Sequence, residues 1–159
     1  MINIRNIQTT DNVAIAQILR DSLTEFGANK PGTAYFDTAT DDMFTLFQKE
    51  KSAYWIAEKN DKTIGGAGIY ATDGLPDDTC ELARVYLDGE ARGHGYGQQM
   101  IEHCFVQAKA MGYKKMYLET MPELKIAVPL YERLGFEYLD AALGATGHFG
   151  CGIWMLKQL

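Results

Sequence analysis

Cysteine is scarce in this chain. Its three cysteines, Cys80, Cys104 and Cys151, are odd in number, far apart and without a CxxC pair. That excludes a disulfide framework and a cysteine-based zinc site. The three histidines, His94, His103 and His148, have no metal-ligand spacing, so no metal is expected. No run approaches the ~18 apolar residues of a membrane-spanning helix. The start, Met1-Ile2-Asn3-Ile4-Arg5, lacks the basic and then apolar order of a signal peptide. A cytoplasmic location with no membrane partner is the expectation. A basic excess is missing too: 15 Lys and Arg stand against 21 Asp and Glu, a net charge of −6. Nucleic-acid binders usually carry a basic stripe, so no nucleic-acid partner is expected. There is no repeat, low-complexity tract or linker. With 47% hydrophobic and 23% charged residues the chain reads as one globular domain over residues 1–159.

What is present is an alternation of strands and helices. Ile2 to Arg5 alternates like a strand. Asp11 is set to cap a helix with Ile15, Ile18, Leu19, Ser22 or Leu23, and Phe26 inward, and Gly27 stops it. A short helix over Asp41 to Gln48 would turn Phe44 and Phe47 inward. Ala53–Glu58 and Thr63–Tyr70 read as strands about a hairpin turn at Lys59-Asn60-Asp61-Lys62, and Cys80–Leu87 as the next strand. A helix with Ile101, Cys104, Phe105 and Ala108 on one face ends at Gly112. Lys114–Thr120 is a strand, Leu124–Leu134 a helix, and two strands close the chain near Phe136–Leu139 and Ile153–Leu156. The order predicts an α/β fold: a mixed, mostly antiparallel sheet with helices on both faces.

Between the strand Cys80–Leu87 and its helix lies Arg92-Gly93-His94-Gly95-Tyr96-Gly97. A glycine loop at a helix N-terminus presents unencumbered N–H groups to an anion, and the helix dipole favours negative charge there. The pattern suits a diphosphate. It is not a dinucleotide fingerprint, because Gln98 stands where the third glycine belongs. Nor is it a P-loop, since no Gly-Lys-Ser/Thr triplet occurs in the chain.

Arg92, Gly95 and Gly97 form R-x-x-G-x-G, which resembles the acyl-CoA pyrophosphate loop of the GNAT superfamily of N-acetyltransferases. "ELARVYLDGEARGHGYG" before it and "AVPLYERLGF" (Ala127 to Phe136) after it are similar to the family's flanking elements. The resemblance is close over residues 80–139. It implies an acyl-CoA N-acyltransferase fold whose central strands splay apart, acetyl-CoA as cosubstrate, and transfer to a primary amine, here of a small molecule, by direct attack. Main-chain groups of Val85, Tyr86 and Leu87 would hold the pantetheine arm and polarise the thioester carbonyl. Arg92, Gly93, His94, Gly95, Tyr96, Gly97 and Gln98 would face the pyrophosphate. Many members have Asn where this chain has Leu124, so that pantetheine contact is absent here or made by backbone. A homodimer is compatible with the resemblance. A non-catalytic acyl-CoA sensor and a protein N-terminal or lysine acetyltransferase share the same loop and stay open as alternatives.

Acyl transfer to an amine needs a base, because only about one lysine-like amine in 10³ is neutral at pH 7. Glu81, early in the loop-bearing strand where family members place a carboxylate, is the candidate. Simple alternation would put Glu81, Ala83, Val85 and Leu87 on one face and Arg84 on the other, and a bulge would change that parity. Tyr131, in Leu-Tyr-x-x-Leu-Gly-Phe, is by resemblance beside the coenzyme sulfur and is the candidate general acid as well as a coenzyme contact. Phe26, Tyr35, Phe36, Tyr70, Thr120 and His148 are candidates for the acceptor pocket, and His148 is a rival base. Cys80 is a poor acyl acceptor, since strand cysteines are usually small buried hydrophobes. Acidic groups at Asp37, Asp41, Asp42, Asp73, Asp77, Asp78 and Glu81 would, if they flank the acceptor mouth, favour a cationic amine.

Overall fold

The computed structural model describes residues 1–159 and is built on one seven-stranded sheet. The strands are β1 (Asn3–Asn6), β2 (Ala53–Lys59), β3 (Lys62–Tyr70), β4 (Thr79–Leu87), β5 (Lys115–Thr120), β6 (Glu137–Leu139) and β7 (Ile153–Gln158). Their order across the sheet is β1-β2-β3-β4-β5-β7-β6, and every pairing but β4 with β5 is antiparallel. Four helices connect them: α1 (Asn12–Glu25), α2 (Met43–Leu46), α3 (Tyr96–Ala110) and α4 (Ala127–Arg133). None is long and apolar enough to cross a membrane.

The period-2 pattern of β2 decides how the faces are filled. Tyr54 and Ile56 point to one side, where Ile15, Leu19 and Leu23 of α1 and Met43 and Phe47 close the core. Trp55 and Ala57 point to the other, against Met100, Ile101, Cys104 and Ala108 of α3 and Tyr131 of α4. Burial of a Leu or Ile side chain contributes about 1.5–3 kcal/mol, so the two apolar faces hold the layers together.

Several expectations shift. Asp11 does not cap α1 with its side chain. Its carboxylate instead receives both Arg5 Nη atoms at 2.8 Å and the Gln8 amide at 2.7 Å, tying β1 to the helix entry. Met43, not Phe44, is fully buried in α2, and Ile18 is only half-buried. Helix α4 starts at Ala127 rather than Leu124, which lies in the turn before it.

Strand β4 breaks its alternation. Gly66 faces Tyr86 while Gly68 faces Ala83, so β4 carries one extra residue there, and Arg84 sits at φ 54°. This bulge keeps Glu81, Ala83 and Tyr86 on the α1 face and turns Val85 and Leu87 toward α3 with Cys80 and Leu82. The unbroken parity is therefore wrong beyond Ala83. Left-handed backbone costs a non-glycine residue of order 1–3 kcal/mol and persists only where neighbours enforce it. Here Tyr54 enforces it, donating its hydroxyl to the Arg84 carbonyl at 2.6 Å. Tyr54 reaches that far because β3 offers glycine below it. A Cβ at Gly66 or at Gly68 would come within 2.5 Å of the Tyr54 ring.

Candidate active site

Strands β4 and β5 pair over Thr79–Glu81 and Lys115–Tyr117 and then part. Two cavities open at the gap, one on each side, and both are lined by Tyr86 and Leu124.

The first is a groove between the end of β4, the glycine loop, α3 and α4. Gly93 (φ 83°) and Gly95 (φ 79°) take left-handed turns, and Gly95 is the N-cap of α3. The first-turn N–H groups of α3 have no intrahelical partner, which suits them to phosphate oxygens. Val85, Tyr86, Leu87, Arg92, Gly93, Gly95, Tyr96, Gly97, Gln98 and Tyr131 all line this groove, and Leu124 presents an apolar contact in it. His94 does not. It is exposed, stacked on Tyr96 at 5.4 Å, and faces a separate surface hollow. The Arg92 guanidinium is turned inward: it pairs with Glu25, donates to Ser22 Oγ and the Leu87 carbonyl at 3.2 Å each, and covers the Phe26 ring. The Leu87 carbonyl also accepts from Ser22 Oγ, so it is already engaged twice.

Tyr131 is 7% exposed, and burial raises its phenol well above the ordinary 10, so it stays protonated across the working range.

The second cavity holds Glu81. Its carboxylate accepts a 2.5 Å hydrogen bond from Thr72 Oγ1 and is 9% exposed. Burial pushes it up to about 7, opposed by the Thr72 bond and reinforced by the neighbouring Glu119 charge. Tyr70, Thr120 and His148 line the same cavity. Phe26 and Tyr35 do not. Phe26 lies in the first groove beneath Arg92, and Tyr35 packs edge-on against the exposed Phe36. Of the acidic residues, Asp37, Asp73 and Glu81 reach the cavity, and Asp41, Asp42, Asp77 and Asp78 do not.

The segment between β6 and β7 roofs this cavity. Ala145 N donates to the Asp73 carbonyl at 2.7 Å and Gly150 N to the Gly32 carbonyl at 2.8 Å. Thr146 Oγ1 donates to Glu119 at 2.5 Å, and His148 Nε2 meets Asp37 Oδ2 at 2.8 Å. Glu119 also receives the Tyr117 hydroxyl at 2.6 Å.

Arg84, Thr72 and Glu119 carry no motif that marks them as cavity residues in the sequence. The available signal for Arg84 is indirect: three glycines in the facing strand β3, which mark a bulge or close backbone approach.

The sequence model of the acetyltransferase (GNAT) family matches residues 13–136. An uncharacterised N-acetyltransferase of Escherichia coli K12, YjgM, is 39% identical over 98% of this chain and 93% of its own length. Human N-acetyltransferase 8B is 32% identical over 70% of this chain and 52% of its own. An acetyltransferase of the GNAT family from Staphylococcus aureus Mu50 superposes with a TM-score of 0.85 at 15% identity, covering 100% of this chain and 99% of that one. The PaiA N-acetyltransferase of Thermoplasma acidophilum, solved with coenzyme A, superposes with a TM-score of 0.78 at 16% identity, covering 100% and 99%. A strand that parts from its neighbour at a glycine-capped helix, matched end to end by acetyltransferases, admits one conclusion: the chain belongs to the GNAT family of acetyl-CoA-dependent N-acetyltransferases.

Proposed function

We propose that the protein transfers the acetyl group of acetyl-CoA to a primary amine of a small molecule, by direct attack of the amine on the thioester. The coenzyme takes the groove along the glycine loop, with its diphosphate on the first-turn amides of α3 and its thioester at the gap beside Tyr86 and Leu124. The amine comes from the other cavity. Glu81 accepts its proton, and the Tyr131 phenol donates to the departing thiolate. The Val85 main chain, re-aimed by the bulge, polarises the carbonyl.

The observation that carries the reading is Glu81: a buried carboxylate held near 7, in the cavity that meets the coenzyme groove. A base of that strength is half-ionised at neutral pH and still basic enough to take an ammonium proton, a role worth ~10²–10⁴ in rate. Direct attack is favoured over an acetyl-cysteine intermediate because burial pushes both Cys80 and Cys151 up to about 12. At that value only about one thiol in 10⁵ is ionised at pH 7. A small acceptor is favoured over a protein because the 140–152 segment, pinned at Asp37, Asp73, Glu119 and Gly32, roofs the cavity.

The test is thiol release from acetyl-CoA over a panel of small amines. At least one amine should give turnover that depends on its presence, and Tyr131→Phe should lower kcat modestly while coenzyme affinity is kept. Coenzyme binding without turnover on any amine would favour a sensor and refute the reading.

A further inference from the structure

We infer that the acceptor is an α-amino acid, read by its carboxylate through Arg84. The inference rests on the transferase reading above and deepens it. Arg84 is the one arginine or lysine that lines the acceptor cavity, and its side chain is 7% exposed. A guanidinium carries five N–H donors in a fixed fork. Arg84 uses two of them on oxygen: Nη1 donates to Thr40 Oγ1 at 2.8 Å and Nη2 to Asp37 Oδ2 at 2.9 Å. Nη1 also approaches Met43 Sδ at 4.0 Å, and the remaining N–H groups belong to a side chain that lines the cavity. They ask for an acceptor oxygen from the ligand.

A second, independent observation points the same way. Thr120 lines the same cavity, and its buried Oγ1 has no hydrogen-bond partner. Its hydroxyl is a further donor awaiting an oxygen.

The cavity's acidic groups other than Glu81 are already engaged. Asp37 is shared by Arg84 and His148, Asp73 is paired with Lys49 at 2.9 Å, and both Glu119 oxygens are held by Tyr117 and Thr146. Glu81 is the acid left for the amine. Glu81 and Arg84 lie three residues apart on one strand, and the bulge brings both into one cavity. One ligand with adjacent amine and carboxylate meets both. The apolar wall of Phe47, Tyr70 and Met121 is suited to an apolar side chain. The mixed charge therefore narrows the expected cationic amine to one that also carries a carboxylate.

The test compares three forms of one skeleton as acceptors at saturating acetyl-CoA: leucine, its amide and 3-methylbutylamine, alongside the other common amino acids. An apolar α-amino acid should exceed its amide and its decarboxylated amine in kcat/KM by ~10²-fold or more, since sites built to hydrogen-bond a substrate group reject analogues lacking it. The amide has the less basic amine and so more of the reactive neutral form, which makes the comparison stringent. Arg84→Lys should narrow the acid-to-amine ratio at least tenfold. Thr120→Val, which loses no internal hydrogen bond and should fold, should raise KM for the amino acid with little change in kcat. Equal turnover of acid, amide and amine would overturn the inference and leave acetyl transfer standing. An acid preference unmoved by either variant would overturn the assignment to Arg84 and Thr120. No turnover of any amine would overturn the transferase reading, and this inference with it.

Discussion

The buried position of Glu81 costs the fold stability at high pH. Its carboxyl titrates near 7 in the fold against an ordinary 4.5, because burial penalises the ionised form. A raised folded-state value means that the fold holds this proton more tightly than the unfolded chain does. The resulting stabilisation is fully present below about 4.5 and is lost as pH rises through about 7. At pH 8 the ionised side chain therefore burdens the native state by roughly 3 kcal/mol, at ~1.4 kcal/mol for each tenfold difference in proton affinity. Glu81→Gln keeps an acceptor for the Thr72 hydroxyl and cannot ionise. It should raise Tm at pH 8 by roughly 6–12 °C, at about 2–4 °C per kcal/mol for a chain of this size, and the gain should vanish near pH 4. Thermal unfolding followed across pH checks this. An unchanged or lowered Tm at pH 8, or a gain independent of pH, would contradict the environment assigned to Glu81.

The bulge is the element on which both cavities depend. It needs an extra residue in β4, a tyrosine in β2 long enough to reach the Arg84 carbonyl, and glycines in β3 to let that ring pass. Tyr54→Phe leaves that carbonyl without its partner, at a cost of about 1–3 kcal/mol. It should lower Tm by roughly 2–12 °C and raise KM for acetyl-CoA, because the main chain from Val85 onward loses its aim. A variant with wild-type Tm and KM would show that the bulge stands without Tyr54. Elements of this sheet are legible in the sequence where their signal is local. The hairpin at Lys59-Asn60-Asp61-Lys62 follows from its turn residues, and Asn60 and Asp61 do adopt positive φ. Helix α3 follows from its apolar period and Gly112. The bulge does not, because its cause is the pairing of three strands. The start of α4 is misplaced by sequence pattern because Leu124 continues the apolar period while the chain there is still turning.

Across the whole molecule, the sheet is two sets of strands joined by a short parallel contact and separated beyond it. The proposed coenzyme side of that gap comes from two stretches of chain, residues 85–101 and 124–133 with Ser22 and Phe26 beside them, which is why contiguous motifs reveal it. The proposed acceptor side is assembled from the 33–37 loop, the end of α2, the end of β3, β4, β5 and the 145–151 segment. No window of sequence contains it, so Tyr70, Thr120 and His148 are reachable only as candidates, while Arg84 and Glu119 give no local signal of their own. The proposed catalysis rests on Glu81 acting as base where the two sides meet. The most direct test is kcat/KM for the best amine acceptor against pH, from about 5 to 9, in the wild type and in Glu81→Gln. The wild-type profile should lose one unit of slope near pH 7 as Glu81 ionises, and the variant should lack that break and run at least ~10²-fold slower above it. A break near pH 7 that survives in Glu81→Gln would contradict this assignment and shift the base to another group in the cavity.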